Sequence, residues 1–386
     1  MSNAWIVETD LLFDGSGRAP ERDRAVLVRD GRIAGVGATD AGAAIPRLRC
    51  PVLAPGFLDI QINGAADAQF NDDPSVETLR RMARGAAQGG SAWILPTFIT
   101  APGRAYAEAL DAVAAALGAG VPGIAGLHLE GPFLSPRRAG IHPPEAIRRP
   151  DATDLARLEA PGGGARLVTL APEEVGPDAV ARLSAAGWTV FAGHSEATAE
   201  DLVPAVAAGL SGATHLFNAM SQMTPRAPGL VGAVLGGLVP HAGLIADGHH
   251  VHPLSLAAAL KAVGADRLCL VTDAMLTLAG TRTGFRIGAR EVRLDGGRLV
   301  GEDGTLGGAH LAMDEAVRNM IALAGATPQE AIRMASATPA AAVGLGDEIG
   351  TIRPGQRAGL TLMDAGLRVL GTMSDGAFPW RDAALG

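Results

Sequence analysis

Residues 188–216 read WTVFAGHSEATAEDLVPAVAAGLSGATHL. Two apolar runs, 188–192 and 212–216, bracket an Ala-rich segment, and each brings a histidine to its end, His194 and His215. The pattern is that of a buried strand, a helix and a second buried strand. Further runs lie on either side, at 57–62, 92–98, 124–129, 166–170, 242–246 and 268–272, making eight in all. Ala-rich stretches with 3.6-residue periodicity separate them, such as 77–88, 105–117, 177–186 and 254–263. Alternating strand and helix predicts a parallel sheet, and eight repeats predict closure into a (β/α)8 TIM barrel of the α/β class. An open doubly wound sheet would want a GxGxxG turn after an early strand, and none is suitably placed.

Beyond this block the pattern changes. Short strand-like runs at 4–8, 25–29 and 32–36, with an Asp30-Gly31 turn, precede the break at Leu53-Ala54-Pro55-Gly56. After the eighth run, 283–300 reads as a β-hairpin insertion, followed by helices near 311–323 and 329–337. The tail from Gly350 through 360–364 is strand-like again and is expected to pair with the N-terminal strands. The expected organisation is a barrel over 55–339 and a small β-sandwich domain from both termini, 1–54 and 340–386.

Composition narrows the function. Hydrophobic residues make up 48% and charged residues 19% of the 386, a globular balance. A net charge of −8 argues against nucleic-acid binding, which needs a basic face, but a few local Arg or His residues can still bind an anionic substrate. Cys50 and Cys269 lack CxxC spacing and read as free thiols of a reducing compartment. The first ten residues carry acids with no basic segment before an apolar run, and no apolar stretch reaches membrane-spanning length. The expectation is a cytoplasmic protein without membrane partners.

The strand ends carry polar groups: Asp59, Gln61 and Asn63 on the first, His128 and Glu130 on the third, His194 on the fifth, His215 on the sixth and Asp273 on the eighth. A closed barrel gathers such ends over one pit, where catalytic groups of this fold sit. Two imidazoles and a carboxylate suit a catalytic Zn²⁺ with an open position, which acidifies water and polarises a carbonyl. Asp273, closing an unbroken apolar run, is the candidate general acid/base.

These residues sit in Pro55-Gly56-Phe57-Leu58-Asp59, His128-Leu129-Glu130-Gly131-Pro132, Gly193-His194-Ser195, His215-Leu216-Phe217-Asn218-Ala219-Met220, Asp247-Gly248-His249-His250 and Thr272-Asp273-Ala274-Met275. In this order the motifs resemble the N-acetylglucosamine-6-phosphate deacetylases of the amidohydrolase superfamily. The resemblance implies Glu130, His194 and His215 as metal ligands, Asp273 as acid/base and His142 as the group polarising the acetamide oxygen. It implies substrate contacts from Gln61, Asn63, Asn218, Ala219 and Leu306. Arg226 and His250 would hold the phosphate, in relatives from the neighbouring subunit of a homodimer.

Many amidohydrolases carry His-x-His on the first strand and a carboxylated lysine between two metals. Here Gln61-Ile62-Asn63 stands in the first place, and the only lysine, Lys261, lies mid-helix. Amides are poor zinc ligands, so one divalent metal per subunit is expected, Zn²⁺ with Fe²⁺ or Co²⁺ as alternatives. His249 reads as a solvated or phosphate-facing loop residue. The implied reaction is hydrolysis of N-acetylglucosamine 6-phosphate to glucosamine 6-phosphate and acetate by a metal-bound hydroxide. The alternatives are a related amidohydrolase acting on another N-acylated amino sugar or an N-acyl amino acid, and a barrel that binds without chemistry. The four intact key positions speak against the last.

Overall fold

Strands covered on both faces must be apolar throughout, which is why the eight runs read as unbroken. In the computed structural model, which describes residues 4–37 and 45–385, they form one parallel sheet. Its strands are β1 (Phe57–Ile62), β2 (Ser91–Ile99), β3 (Gly126–Glu130), β4 (Ala165–Leu170), β5 (Thr189–Ala192), β6 (Leu210–Ala213), β7 (His241–Ile245) and β8 (Leu268–Val271). Each pairs with its neighbour in chain order. That sequential order is the barrel order and excludes a doubly wound sheet, so the expected fold class holds.

Between the strands lie α1 (Val76–Ala87), α2 (Tyr106–Gly118), α3 (Ala152–Glu159), α4 (Pro177–Ala185), α5 (Ala199–Ala207), α6 (Gly229–Leu235) and α7 (Pro253–Val263). Helix α1 shows the local logic: the Ser75 side chain accepts from Thr78 N–H to start it, and Leu79 and Met82 bury its inner face.

The seam between β8 and β1 is closed by few bonds. Asp273 N–H donates to the Gln61 carbonyl at 2.9 Å and Asn63 N–H to the Ala274 carbonyl at 2.8 Å. Buried Asp59 accepts from the Thr272 hydroxyl at 2.5 Å and from Gln61 N–H at 3.2 Å.

The termini build a separate seven-stranded sheet, ordered Ala377–Arg381, Val369–Ser374, Leu360–Met363, Arg47–Pro55, Ala4–Leu12, Glu21–Arg29 and Arg32–Gly37. Val7, Val26, Leu53, Leu360 and Met373 form its own core. Arg47–Pro55 passes into β1 through Gly56, where a Cβ would lie 2.3 Å from that of Ala92. Residues 1–3, 38–44 and 386 of the expected small domain lie outside the described residues.

Two expectations need correction. The sixth strand occupies Leu210–Ala213 and not 212–216, because His215 adopts φ 34° and carries the chain out of the ladder. The insertion is a four-stranded antiparallel sheet, Gly284–Ile287, Arg290–Asp295, Arg298–Gly301 and Leu306–Ala309. Glycines make its second half look like loop, and only pairing with its first half reveals the strands. Helices α8 (Met313–Ala324) and α9 (Pro328–Ala335) follow, close to their expected places.

Candidate active site

Three of the four key side chains stand on the same backbone device. His194, His215 and Asp273 each lie two residues past the end of their strand, with φ of 47°, 34° and 49°. Non-glycine residues rarely adopt this left-handed region, and such strain persists where surrounding structure imposes it, often at functional sites. Each turn aims its side chain over the mouth of the barrel. Glu130 needs no such turn, being the last residue of β3.

Glu130 Oε1 lies 3.1 Å from His194 Nε2 and 3.0 Å from His215 Nε2, and the two nitrogens are 3.1 Å apart. Bonds of about 2.0–2.2 Å in a tetrahedral site place ligand atoms roughly 3.3–3.6 Å apart, so a slight opening of this buried triangle seats a divalent ion. The His194 Nδ1–H donates to the Arg138 carbonyl at 2.7 Å, which leaves Nε2 free to ligate. Burial opposes charge on both Glu130 and His215. Their pairing outweighs it, holding the carboxyl well below its ordinary value and the imidazole above its own. Cation binding displaces the shared proton. The three residues fit a divalent metal ion.

Asp273 is half-buried beside this triangle. Burial and the charge of Glu130 push it up to about 6, against the pull of His215, His250 and Asn63. Asn63 Nδ2 donates to its Oδ1 at 2.7 Å, while Gln61 Nε2 bridges Glu130 (3.2 Å) and Asp273 (3.3 Å). Gln61 thus ties the two carboxylates together, and Asn63 holds Asp273 alone. Lys261 is exposed on α7, so no lysine bridges here. His142 is buried with Nδ1 2.9 Å from the Thr100 hydroxyl and Nε2 4.0 Å from Glu130; burial, then the neighbouring His194, holds it well below its ordinary value. His128 lies beneath Glu130, bracketed by Thr97 and Thr169, and burial pushes it down to about 4.

A cavity of about 340 Å³ opens over these groups. Of the expected site residues, Asn63, His142, Asn218, Ala219, His250 and Leu306 line it. Gln61 does not, since its amide is spent on the two carboxylates below. His250 lines the cavity of its own chain, with Nδ1 2.6 Å from Asp247, whereas Arg226 is exposed on the loop before α6 and outside the wall. His249 is exposed and His252 caps α7 by accepting from Leu254 N–H. Sequence reasoning missed Arg137, Arg138, Thr305 and Gly308 in the wall. The only signal for the arginines was their place between Glu130 and His142. The insertion residues arrive through tertiary packing, with Ile141 against the cluster of Met275, Phe285, Val292 and Leu299.

A (β/α)8 barrel with Glu, His and His at the mouths of its third, fifth and sixth strands and a carboxylate on the eighth defines the class of metal-dependent hydrolases. The chain belongs to the Amidohydrolase family, whose profile matches residues 52–378, and is similar to the amino-sugar 6-phosphate deacetylases within it. An N-acetylgalactosamine-6-phosphate deacetylase of Shewanella sp. (strain ANA-3) is 40% identical over 351 residues, 90% of this chain and 89% of that one. The N-acetylglucosamine-6-phosphate deacetylase of Pasteurella multocida superposes with a TM-score of 0.92 at 32% identity, covering 97% of this chain and 99% of that one. A mutant N-acetyl-D-glucosamine-6-phosphate deacetylase of Mycobacterium smegmatis, in complex with N-acetyl-D-glucosamine-6-phosphate, gives 0.88 at 30% identity with the same coverage.

Proposed function

We propose that the chain hydrolyses the acetamide of an N-acetylhexosamine 6-phosphate, N-acetylglucosamine 6-phosphate first, to the free amino sugar phosphate and acetate. The observation that carries this reading is the convergence of Glu130, His194 and His215 within 3.0–3.1 Å of one another, with Gln61 linking that triangle to Asp273.

A divalent cation held by Glu130, His194 and His215, Zn²⁺ in our reading, supplies Lewis acidity towards the amide carbonyl and acidifies a water. Asp273 takes the proton from the attacking water and returns it to the departing amine. Asn63 and Gln61 fix the orientation of that carboxylate. His142, kept neutral by burial, donates to the carbonyl oxygen as it gains charge. Asn218, the Ala219 amide and Leu306 meet the sugar, and His250 meets the phosphate. Arg226, free on the surface, reaches the phosphate in the cavity of a neighbouring subunit in a homodimer. We place the enzyme in the cytoplasm, in keeping with buried, unpaired Cys50 and Cys269; among the described residues no helix is long and apolar enough to cross a membrane. Residues 55–339 form the catalytic unit, with 1–54 and 340–386 as its companion.

The Shewanella relative supports a second reading, the galacto epimer as substrate. Acetate release measured on both 6-phosphates and both plain sugars tests the proposal. Metal-dependent release, faster on a phosphorylated sugar, is expected, and the epimer ratio chooses between the readings. No release from either 6-phosphate by the metal-loaded protein overturns both.

A further inference from the structure

We propose that Arg137 is the cation through which each chain grips the phosphate of the substrate in its own cavity. The inference rests on the phosphorylated amino sugar read above and adds a residue to its recognition.

The cavity is electrically divided. Its carboxylates, buried Glu130 and half-buried Asp273, lie at the bottom. In the proposed reaction the acetamide must reach the Glu130–His194–His215 triangle there, so the phosphate at the far end of the sugar stays at the rim. Six potentially cationic side chains line the wall: Arg137, Arg138, His142, His194, His215 and His250. His142, His194 and His215 are buried around Glu130 and belong to the chemistry. Arg138 is committed twice, its guanidinium paired with Glu196 and its carbonyl accepting from His194. His250 is tied to Asp247, both side chains 8% exposed.

Arg137 alone is uncommitted. It sits on a single 3-10 turn, Pro136–Arg138, opened by Pro136 directly after the buried Phe133–Ser135 segment. Its side chain is exposed, lines the cavity, and has no hydrogen-bond or ion-pair partner among the described residues. A guanidinium offers a planar fork of donors matched to phosphate oxygens, and a free one at the rim loses no existing pair by binding. Arg226, outside the wall, needs a second chain to contribute; Arg137 does not.

The test compares wild type with Arg137→Gln and Arg137→Lys. The ratio of kcat/KM on the 6-phosphate to kcat/KM on the plain N-acetylated sugar should fall about 10- to 100-fold in Arg137→Gln, through KM, as expected for loss of a charge-assisted hydrogen bond. Arg137→Lys should recover part of it. The Kd of inorganic phosphate, measured by calorimetry on the metal-loaded protein, should weaken in parallel. A ratio and a phosphate Kd both within about twofold of wild type overturn the assignment. If wild type shows no preference for the phosphorylated sugar, the substrate reading fails instead, and the phosphate Kd alone then decides whether Arg137 binds the anion.

Discussion

In the proposed reaction Asp273 must be charged to accept a proton from water and protonated to give one to an amine. Both demands are met only by a carboxyl whose affinity for the proton sits near working pH. Burial and Glu130 push it up to about 6, and a cation in the neighbouring triangle offsets part of the Glu130 charge. The proton acceptor is therefore present above that value and lost as pH falls through it. The kcat profile should show one acid limb at or below about 6, and a limb well above neutrality would rule out Asp273 as the titrating base. Asp273→Asn should cut kcat by about 10³-fold while still holding one equivalent of metal, because the ligands we propose are Glu130, His194 and His215. Near-normal turnover in that variant would remove Asp273 from its role.

At the scale of elements, the segment from β3 to α3 carries Arg137 and His142, and it is anchored at both ends. Glu130 fixes the first. At the second, Asp151 and Asp154 form a capping box that starts α3. The Asp154 side chain, fully buried, also accepts from Tyr106 Oη at 2.7 Å and Arg104 Nε at 3.0 Å and pairs with Arg148. Burial opposes its charge, but these donors outweigh the burial and hold the carboxyl well below its ordinary value. Asp154→Ala strands Arg148 and Tyr106 and should cost about 3–5 kcal/mol of stability at pH 7 in urea unfolding. A depressed carboxylate contributes fully above its unfolded value of about 3.9 and loses that contribution as pH falls towards the folded value, so the gap to wild type should shrink below pH 4. A gap that stays constant down to pH 2 would argue against charge as its source.

For the whole molecule, the barrel is only as closed as its seam. Asp59, deep in the mouth, receives the Thr272 hydroxyl and N–H across the β1–β8 junction and the Gln61 N–H from its own strand, and burial pushes it up to about 7. Asp59→Ala leaves buried donors unpaired, each costing about 1–3 kcal/mol, and should lower the unfolding midpoint together with kcat, since Asp273 follows Thr272 directly. A variant of wild-type stability would show that the seam closes without it. How much of this was legible beforehand depended on range. The eight strands, their parallel order and the four key residues could be read in the sequence because buried strands are apolar on both faces and their polar ends stand out against that background. The capping box at Asp151–Asp154 is likewise local. The left-handed turns at His194, His215 and Asp273, the second half of the insertion sheet, and the sorting of Arg137, Arg138 and Arg226 into free, paired and remote were decided by tertiary structure. Each depends on what a side chain meets from distant parts of the chain, and periodicity carries no information about that.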